Sequence, residues 1–172
     1  MSRIGIYPGT FDPIHTGHLA FASNTLETCQ LDQVVFLPED KPRSKANSTP
    51  LEYRSRDIAS AITAEARFTI ALVETSRFTV TKTLPKIQTL YPNAQLTLLV
   101  GSDVFIGLNL WKDIGSLLRL CDIAIGIRSG QTDLEIRSII GTIQQEYKSN
   151  TTFTIIHTDH PSITSSKLRS FL

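Results

Sequence analysis

Ile4-Gly5-Ile6-Tyr7-Pro8-Gly9-Thr10-Phe11-Asp12-Pro13-Ile14-His15-Thr16-Gly17-His18 is the stretch whose interpretation decides the fold. Ile4 to Tyr7 is a short apolar run that predicts a buried strand, and Leu19-Ala20-Phe21-Ala22 opens an amphipathic helix. The residues between them form a strand-to-helix turn. Open α/β sheets bind ligands at such turns, outside the carboxyl ends of their strands. His15 and His18, three apart at the helix start, fall on one face of its first turn. The unpaired N–H groups and positive dipole end of the helix lie there too, so an anion such as a phosphate would meet amides and imidazoles together. In the plainer alternative, Pro13 and Gly17 shape an ordinary turn and both histidines are surface polar residues.

Outward from this turn the chain alternates strands and helices. The apolar runs Gln33–Leu37, Arg67–Leu72, Gln95–Val100, Asp122–Ile127 and Thr152–Ile156 predict further strands. Helices are expected over Gly17–Thr28, from Thr49 onward, around Val80, Leu84, Ile87 and Leu90, and over Leu134–Tyr147. The fold class is therefore α/β, one domain over residues 1–172 with a mostly parallel, doubly wound sheet. Thr49-Pro50-Leu51-Glu52 has the form of a capping box with proline at the first helical position. Pro85 is tolerable only in the first turn or two of its helix. Arg54 shares the apolar stripe of Leu51, Ile58 and Ile62, and a charge on that face needs a partner. It forms either a salt bridge at the rim of the core or a cation aimed at phosphate. Glu39 to Ser48 is polar and basic without apolar period, hence a loop.

Bulk properties narrow the partners. With 172 residues, 41% hydrophobic content and net charge +1, no global field favours nucleic acid or a membrane, so anion binding must come from local clustering. No apolar run approaches the ~18 residues a membrane helix needs. The N-terminus enters a strand directly, without the features of a signal peptide, and a cytoplasmic location is expected. Cys29 and Cys121 lack metal-ligand spacing and are expected to be plain buried thiols.

Gly9-Thr10-Phe11-Asp12-Pro13-Ile14-His15-Thr16-Gly17-His18 resembles the HxGH signature of the nucleotidyltransferase superfamily, and most of all the bacterial nicotinate-nucleotide adenylyltransferases. Near the end, Ile163-Thr164-Ser165-Ser166-Lys167-Leu168-Arg169 resembles the superfamily's second motif, ISSTxxR, with Thr164 and Ser166 exchanged in type. It has the chemistry of another helix-start phosphate site. Gly101-Ser102-Asp103, Trp111 with Lys112, and Arg128 also match family positions, so the resemblance runs from about residue 3 to 169. It implies a Rossmann-like fold and transfer of AMP from ATP to a mononucleotide phosphate, nicotinate mononucleotide first, with release of pyrophosphate.

The same resemblance assigns roles. His15, His18 and Thr10 would be catalytic, with His18 on the α-phosphate and Thr10 orienting the acceptor phosphate. ATP would be bound by Gly9, Thr10, His15, His18, Gly101, Asp103, Arg128, Ser165, Ser166 and Arg169. Arg54, Thr79, Trp111 and Lys112 are candidates for the acceptor side. Mg²⁺ would travel on the phosphates rather than in a cage of protein side chains. Lys41, Arg43 and Lys45 could close over the site.

The chain also departs from the family. It has Lys41-Pro42-Arg43-Ser44-Lys45 where a Pro-Pro-His-Lys-like run is usual, its Ser76–Leu84 segment is off by one residue from Pro-Ser-Tyr-Thr-x-x-Thr-Leu, and it stops at Leu172. These departures leave two alternatives: adenylyl or cytidylyl transfer to another phosphorylated acceptor such as phosphopantetheine, or a nucleotide-binding homologue without activity. A tRNA synthetase is excluded by size and by the lack of a basic face.

Overall fold

The computed structural model of the chain describes residues 1–41, 47–73, 77–127 and 130–158. The strands are β1 (Arg3–Gly9), β2 (Gln33–Pro38), β3 (Phe68–Ile70), β4 (Gln95–Gly101), β5 (Cys121–Gly126) and β6 (Phe153–Ile156). Between them run α1 (Thr16–Thr28), α2 (Leu51–Ala61), α3 (Thr83–Leu90), α4 (Ser102–Phe105), α5 (Ile114–Leu120) and α6 (Asp133–Tyr147). The sheet order is β3-β2-β1-β4-β5-β6, and every pairing is parallel. The chain works outward from β1 to β3, then returns to lay β4 against the other edge of β1. Strand order therefore reverses between β1 and β4, the place where doubly wound sheets open a ligand crevice at their carboxyl ends.

Both faces of the sheet are covered. Ile4, Ile6, Val35, Leu98 and Ile123 pack on one side with Ile87, Leu117 and Ile143 of α3, α5 and α6. Tyr7, Val34, Phe36 and Leu99 pack on the other with Phe21 and Leu26 of α1 and Ile58 of α2. Burying each large aliphatic or aromatic side chain contributes roughly 1.5–3 kcal/mol, so apolar runs win over alternation in every central strand. That is why the strands stand out in the sequence as continuous blocks.

Several local expectations are corrected. Thr49 does not cap α2: the N-cap is Pro50, with no side-chain cap. The Thr49 backbone has other partners, its N–H donating to Asp12 Oδ2 at 3.0 Å and its carbonyl accepting from Arg54 Nε at 2.6 Å. Glu52, the supposed capping-box partner, pairs instead with Arg56 one turn on. β3 is shorter than the Arg67–Leu72 run, because only Phe68 to Ile70 pair with β2 and Leu72 is 62% exposed. Val80 lies ahead of α3, which starts at Thr83 and so puts Pro85 in its first turn, where a missing N–H is harmless. Segment 102–120, which the apolar pattern left without elements, holds α4, the 3₁₀ turn Leu108–Leu110 and α5. These are three to seven residues long, too short to show a helical period.

The thiols differ from expectation too. Cys121 is buried, but Cys29 is only partly so. Burial pushes the Cys121 thiol up to about 12, and it raises Cys29 as well. Because the thiolate is the reactive species, alkylation of the native protein at pH 8 will be slow and confined to Cys29. Mass spectrometry should find Cys121 modified only after unfolding; fast native labelling of Cys121 would contradict this packing.

Candidate active site

The turn after β1 is built on a strained residue. Phe11 has φ 48°, a left-handed conformation that costs a bulky residue on the order of 1–3 kcal/mol. It persists because its surroundings hold it. The ring is buried against Tyr7 at 5.1 Å, His18 at 5.1 Å and Phe36 at 5.5 Å between centroids. Folding back in this way brings Phe11 Cζ within 3.0 Å of where a Cβ on Gly9 would sit. Gly9 is thus required first by packing inside the turn, whatever it also does for a phosphate.

At the end of the turn the two histidines come together. His15 is the N-cap of α1 and His18 is in its first turn. Their rings stack at 3.7 Å with planes 26° apart. The His15 backbone N–H donates to His18 Nδ1 at 3.2 Å, the position that glutamate or glutamine fills in an ordinary capping box. That bond needs the Nδ1 lone pair, so the ring proton sits on Nε2. His18 is consequently a neutral imidazole fixed as an Nε2–H donor. It is 8% exposed and seated against Phe11 and Tyr7, so its orientation is set by packing as well as by the bond.

Arg54 is neither of the two things the sequence allowed. At 1% exposure it is neither a rim ion pair nor available to a ligand. Its guanidinium spends its donors on backbone carbonyls: Nε on Thr49 and Nη1 on Thr10, both at 2.6 Å, and Nη2 on Glu39 at 2.9 Å. Burial pulls its pKa below the ordinary value, and the nearby carboxylates of Asp12, Asp40 and Glu39 draw it back up. In this structure Arg54 is buried and turned onto these backbone carbonyls, which is not the arrangement expected of an acceptor-binding side chain. What it does is pin the carbonyl just before strained Phe11.

Across the switch point, Gly101 ends β4 and Ser102 starts α4. Ser102 is fully buried and donates to Gln131 Oε1 at 2.8 Å, while Asp103 is exposed in the first turn. Trp111 is half-buried, with its ring 6.1 Å from that of Phe78. Phe78 is the sequence neighbour of Thr79, so two segments that carry acceptor candidates meet here. The Thr79 N–H donates to Thr83 Oγ1 at 2.9 Å, and Thr83 Oγ1 donates to the Arg77 carbonyl at 3.2 Å. Residues 80–82, between the two threonines, form a turn. Lys112 is exposed. A small recess lies where the carboxyl ends of β1 and β2 meet this segment, lined by Pro8, Leu37, Glu39, Arg77, Phe78 and Thr83.

Arg128, Ser165, Ser166 and Arg169, like Arg43 and Lys45, lie outside the described residues. Among the described residues no group of three or more histidine, cysteine or acidic side chains is placed to hold a metal ion, and no helix is long and apolar enough to cross a membrane. Sequence reasoning missed Glu39. Its Oε1 accepts from the Phe78 N–H at 2.7 Å, but an acid after a proline in a polar loop carries no signal of such a contact.

An all-parallel sheet, a strand-to-helix turn ending in paired imidazoles and a second turn facing it across the switch point define a Rossmann-type nucleotidyltransferase. Residues 6–171 match the model of the cytidylyltransferase-like family. The chain is 37% identical over 147 residues to a probable nicotinate-nucleotide adenylyltransferase of Leifsonia xyli, covering 84% of this chain and 72% of that protein. A Neisseria meningitidis protein of the same designation is 36% identical over 154 residues, with 85% and 78% covered. The chain belongs to the cytidylyltransferase-like family, among its nicotinate-nucleotide adenylyltransferases. In fold it is similar to the Plasmodium falciparum nicotinic acid mononucleotide adenylyltransferase, with a TM-score of 0.77 at 18% identity, over 100% of this chain and 84% of that one.

Proposed function

We propose that this protein transfers AMP from ATP to the 5′-phosphate of nicotinate mononucleotide and releases pyrophosphate. The observation that carries the reading is the placement of His18 at the start of α1 beside the β1/β4 switch point, with Nδ1 accepting from the His15 N–H so that Nε2 is the nitrogen left to donate. An oxygen of the acceptor phosphate forms a bond to the α-phosphorus. The bond from that phosphorus to the bridging oxygen breaks, and its electron pair leaves with pyrophosphate. The nucleophile is already anionic, so no general base is needed and the protein's work is positioning and charge stabilisation.

His18 donates to the α-phosphate as negative charge builds, and His15, stacked on it, shares that load. The Thr10 carbonyl is tied to Arg54, which leaves its hydroxyl to orient the acceptor phosphate. Asp103 takes the ribose and Gly101 permits close approach. Arg128, Ser165, Ser166 and Arg169 hold the β- and γ-phosphates. Thr79, Trp111 and Lys112 serve the acceptor side. Mg²⁺ enters as part of the substrate, on phosphate oxygens and water. Substrates of this kind fit a cytoplasmic enzyme.

Pyrophosphate release tests the reading. ATP or CTP is paired in turn with nicotinate mononucleotide, nicotinamide mononucleotide and phosphopantetheine. ATP with nicotinate mononucleotide is expected to give the highest kcat/KM; higher values with CTP or with phosphopantetheine would overturn it.

A further inference from the structure

One chain of hydrogen bonds joins the phosphate turn to the segment that carries Thr79. The Glu39 N–H donates to the Gly9 carbonyl at 2.9 Å. Arg54 grips the Thr10 carbonyl through Nη1 at 2.6 Å and the Glu39 carbonyl through Nη2 at 2.9 Å. The Glu39 carboxylate then reaches over to accept from the Phe78 N–H at 2.7 Å. Phe78 is buried, and it is the residue through which Trp111 contacts this segment. The Glu39 N–H to Gly9 bond is the last rung of the β1–β2 ladder, at the Gly9–Pro38 pair. The side-chain contacts of Arg54 and Glu39 are not needed to complete the sheet, since Glu39 follows the last residue of β2 and 77–79 precede α3. What they fix is the offset between Thr10–Phe11 and Phe78–Thr79.

Transfer depends on that offset. The acceptor must be held at its base while its phosphate is brought in line with the α-phosphorus, and a misplacement of about 1 Å can cost about a hundredfold in rate. Pinning the Thr10 carbonyl also fixes the plane of the Thr10–Phe11 peptide and turns the Phe11 N–H to the opposite side of it. We propose that Arg54 and Glu39 are positioning residues for the transfer, Arg54 setting the phosphate turn and Glu39 docking the acceptor segment onto it. This rests on the reading above that residues 77–83 serve the acceptor. Thr83 fastens the segment by accepting from the Thr79 N–H and donating to the Arg77 carbonyl, and loss of the Glu39 carboxylate removes the hydrogen bond that ties Phe78 to the end of β2.

Steady-state kinetics of the full chain with ATP, Mg²⁺ and nicotinate mononucleotide test it. Glu39 is half-buried at the surface, so its variants keep the core intact. Glu39→Ala is expected to raise the acceptor KM about tenfold while the ATP KM stays within about twofold, the loss of one charge-assisted hydrogen bond at the acceptor side. Glu39→Gln can still accept from the Phe78 N–H and is expected to bring the acceptor KM back to within about threefold of wild type. Arg54→Lys replaces a planar fork by a single ammonium and is expected to lower kcat at least about tenfold with both substrates saturating. If Arg54→Lys unfolds, the two Glu39 variants decide the matter alone. Equal changes in both KM values for Glu39→Ala, no change in either, or a Glu39→Gln variant as impaired as alanine would overturn the inference. Failure of the wild type to transfer AMP to this acceptor would overturn the functional reading, and the inference with it; an active wild type with an unaltered Glu39→Ala overturns only the inference.

Discussion

His18→Ala is expected to lower kcat by about 10²–10³-fold while changing the dissociation constant of ATP only a few-fold, as follows when a donor acts mainly on charge that develops in the transition state. The substitution removes two things at once. The Nε2–H donor is lost, and so is the Nδ1 acceptor that satisfies the His15 N–H. His18→Glu separates them. Glutamate at the third helical position is an established capping partner, so its carboxylate can take over from Nδ1 while, ionised, it offers no donor to replace Nε2–H. This variant should melt close to the wild type and still lose most of kcat. A His18→Glu protein with near-normal turnover would show that the imidazole is there to cap α1 and nothing more.

Arg54→Ala is the second large effect, and here the loss is in stability. It leaves three carbonyls, those of Thr10, Thr49 and Glu39, without their donor. It also empties the space of a side chain that is 1% exposed. Orphaned buried polar groups together with a cavity put the cost at ~3–5 kcal/mol, a fall in Tm of roughly 6–20 °C for a chain of this size. The magnitude discriminates between roles. A rim ion pair would cost ~0–1 kcal/mol. A cation aimed at phosphate would leave Tm almost unchanged and reduce substrate affinity instead. Thermal and urea unfolding followed by circular dichroism make the measurement, and a Tm within about 2 °C of wild type would contradict the clamp.

The sheet was readable in the sequence because burial on both faces turns each central strand into an unbroken apolar run, with β1 and β4 the clearest. The same pattern exposed the turn between β1 and α1, where glycine, proline and histidine stand between an apolar run and an amphipathic run. Arg54 was recognised as a charge on an apolar face, but its partners were not recognisable. Backbone carbonyls have no identity in a sequence, so a guanidinium that binds three of them looks the same as one waiting for an anion. Glu39 was missed for the complementary reason, its partner being the main-chain N–H of Phe78. The segment 102–120 was misread because three short turns of helix carry too few apolar residues to fix a period. The extra residue between Thr79 and Thr83 looked like a disruption of the acceptor segment. The hydroxyl of Thr83 ties the residues on both sides of the turn together, bonding the Thr79 N–H and the Arg77 carbonyl.

The central claim is that a fixed neutral imidazole at the start of α1 meets the α-phosphate of ATP. A crystal structure of the protein with a non-hydrolysable ATP analogue tests it most directly. His18 Nε2 is expected within about 3 Å of an α-phosphate oxygen, with the His15 N–H still donating to Nδ1. An α-phosphate lying outside the crevice between β1 and β4, or out of reach of His18, would contradict it.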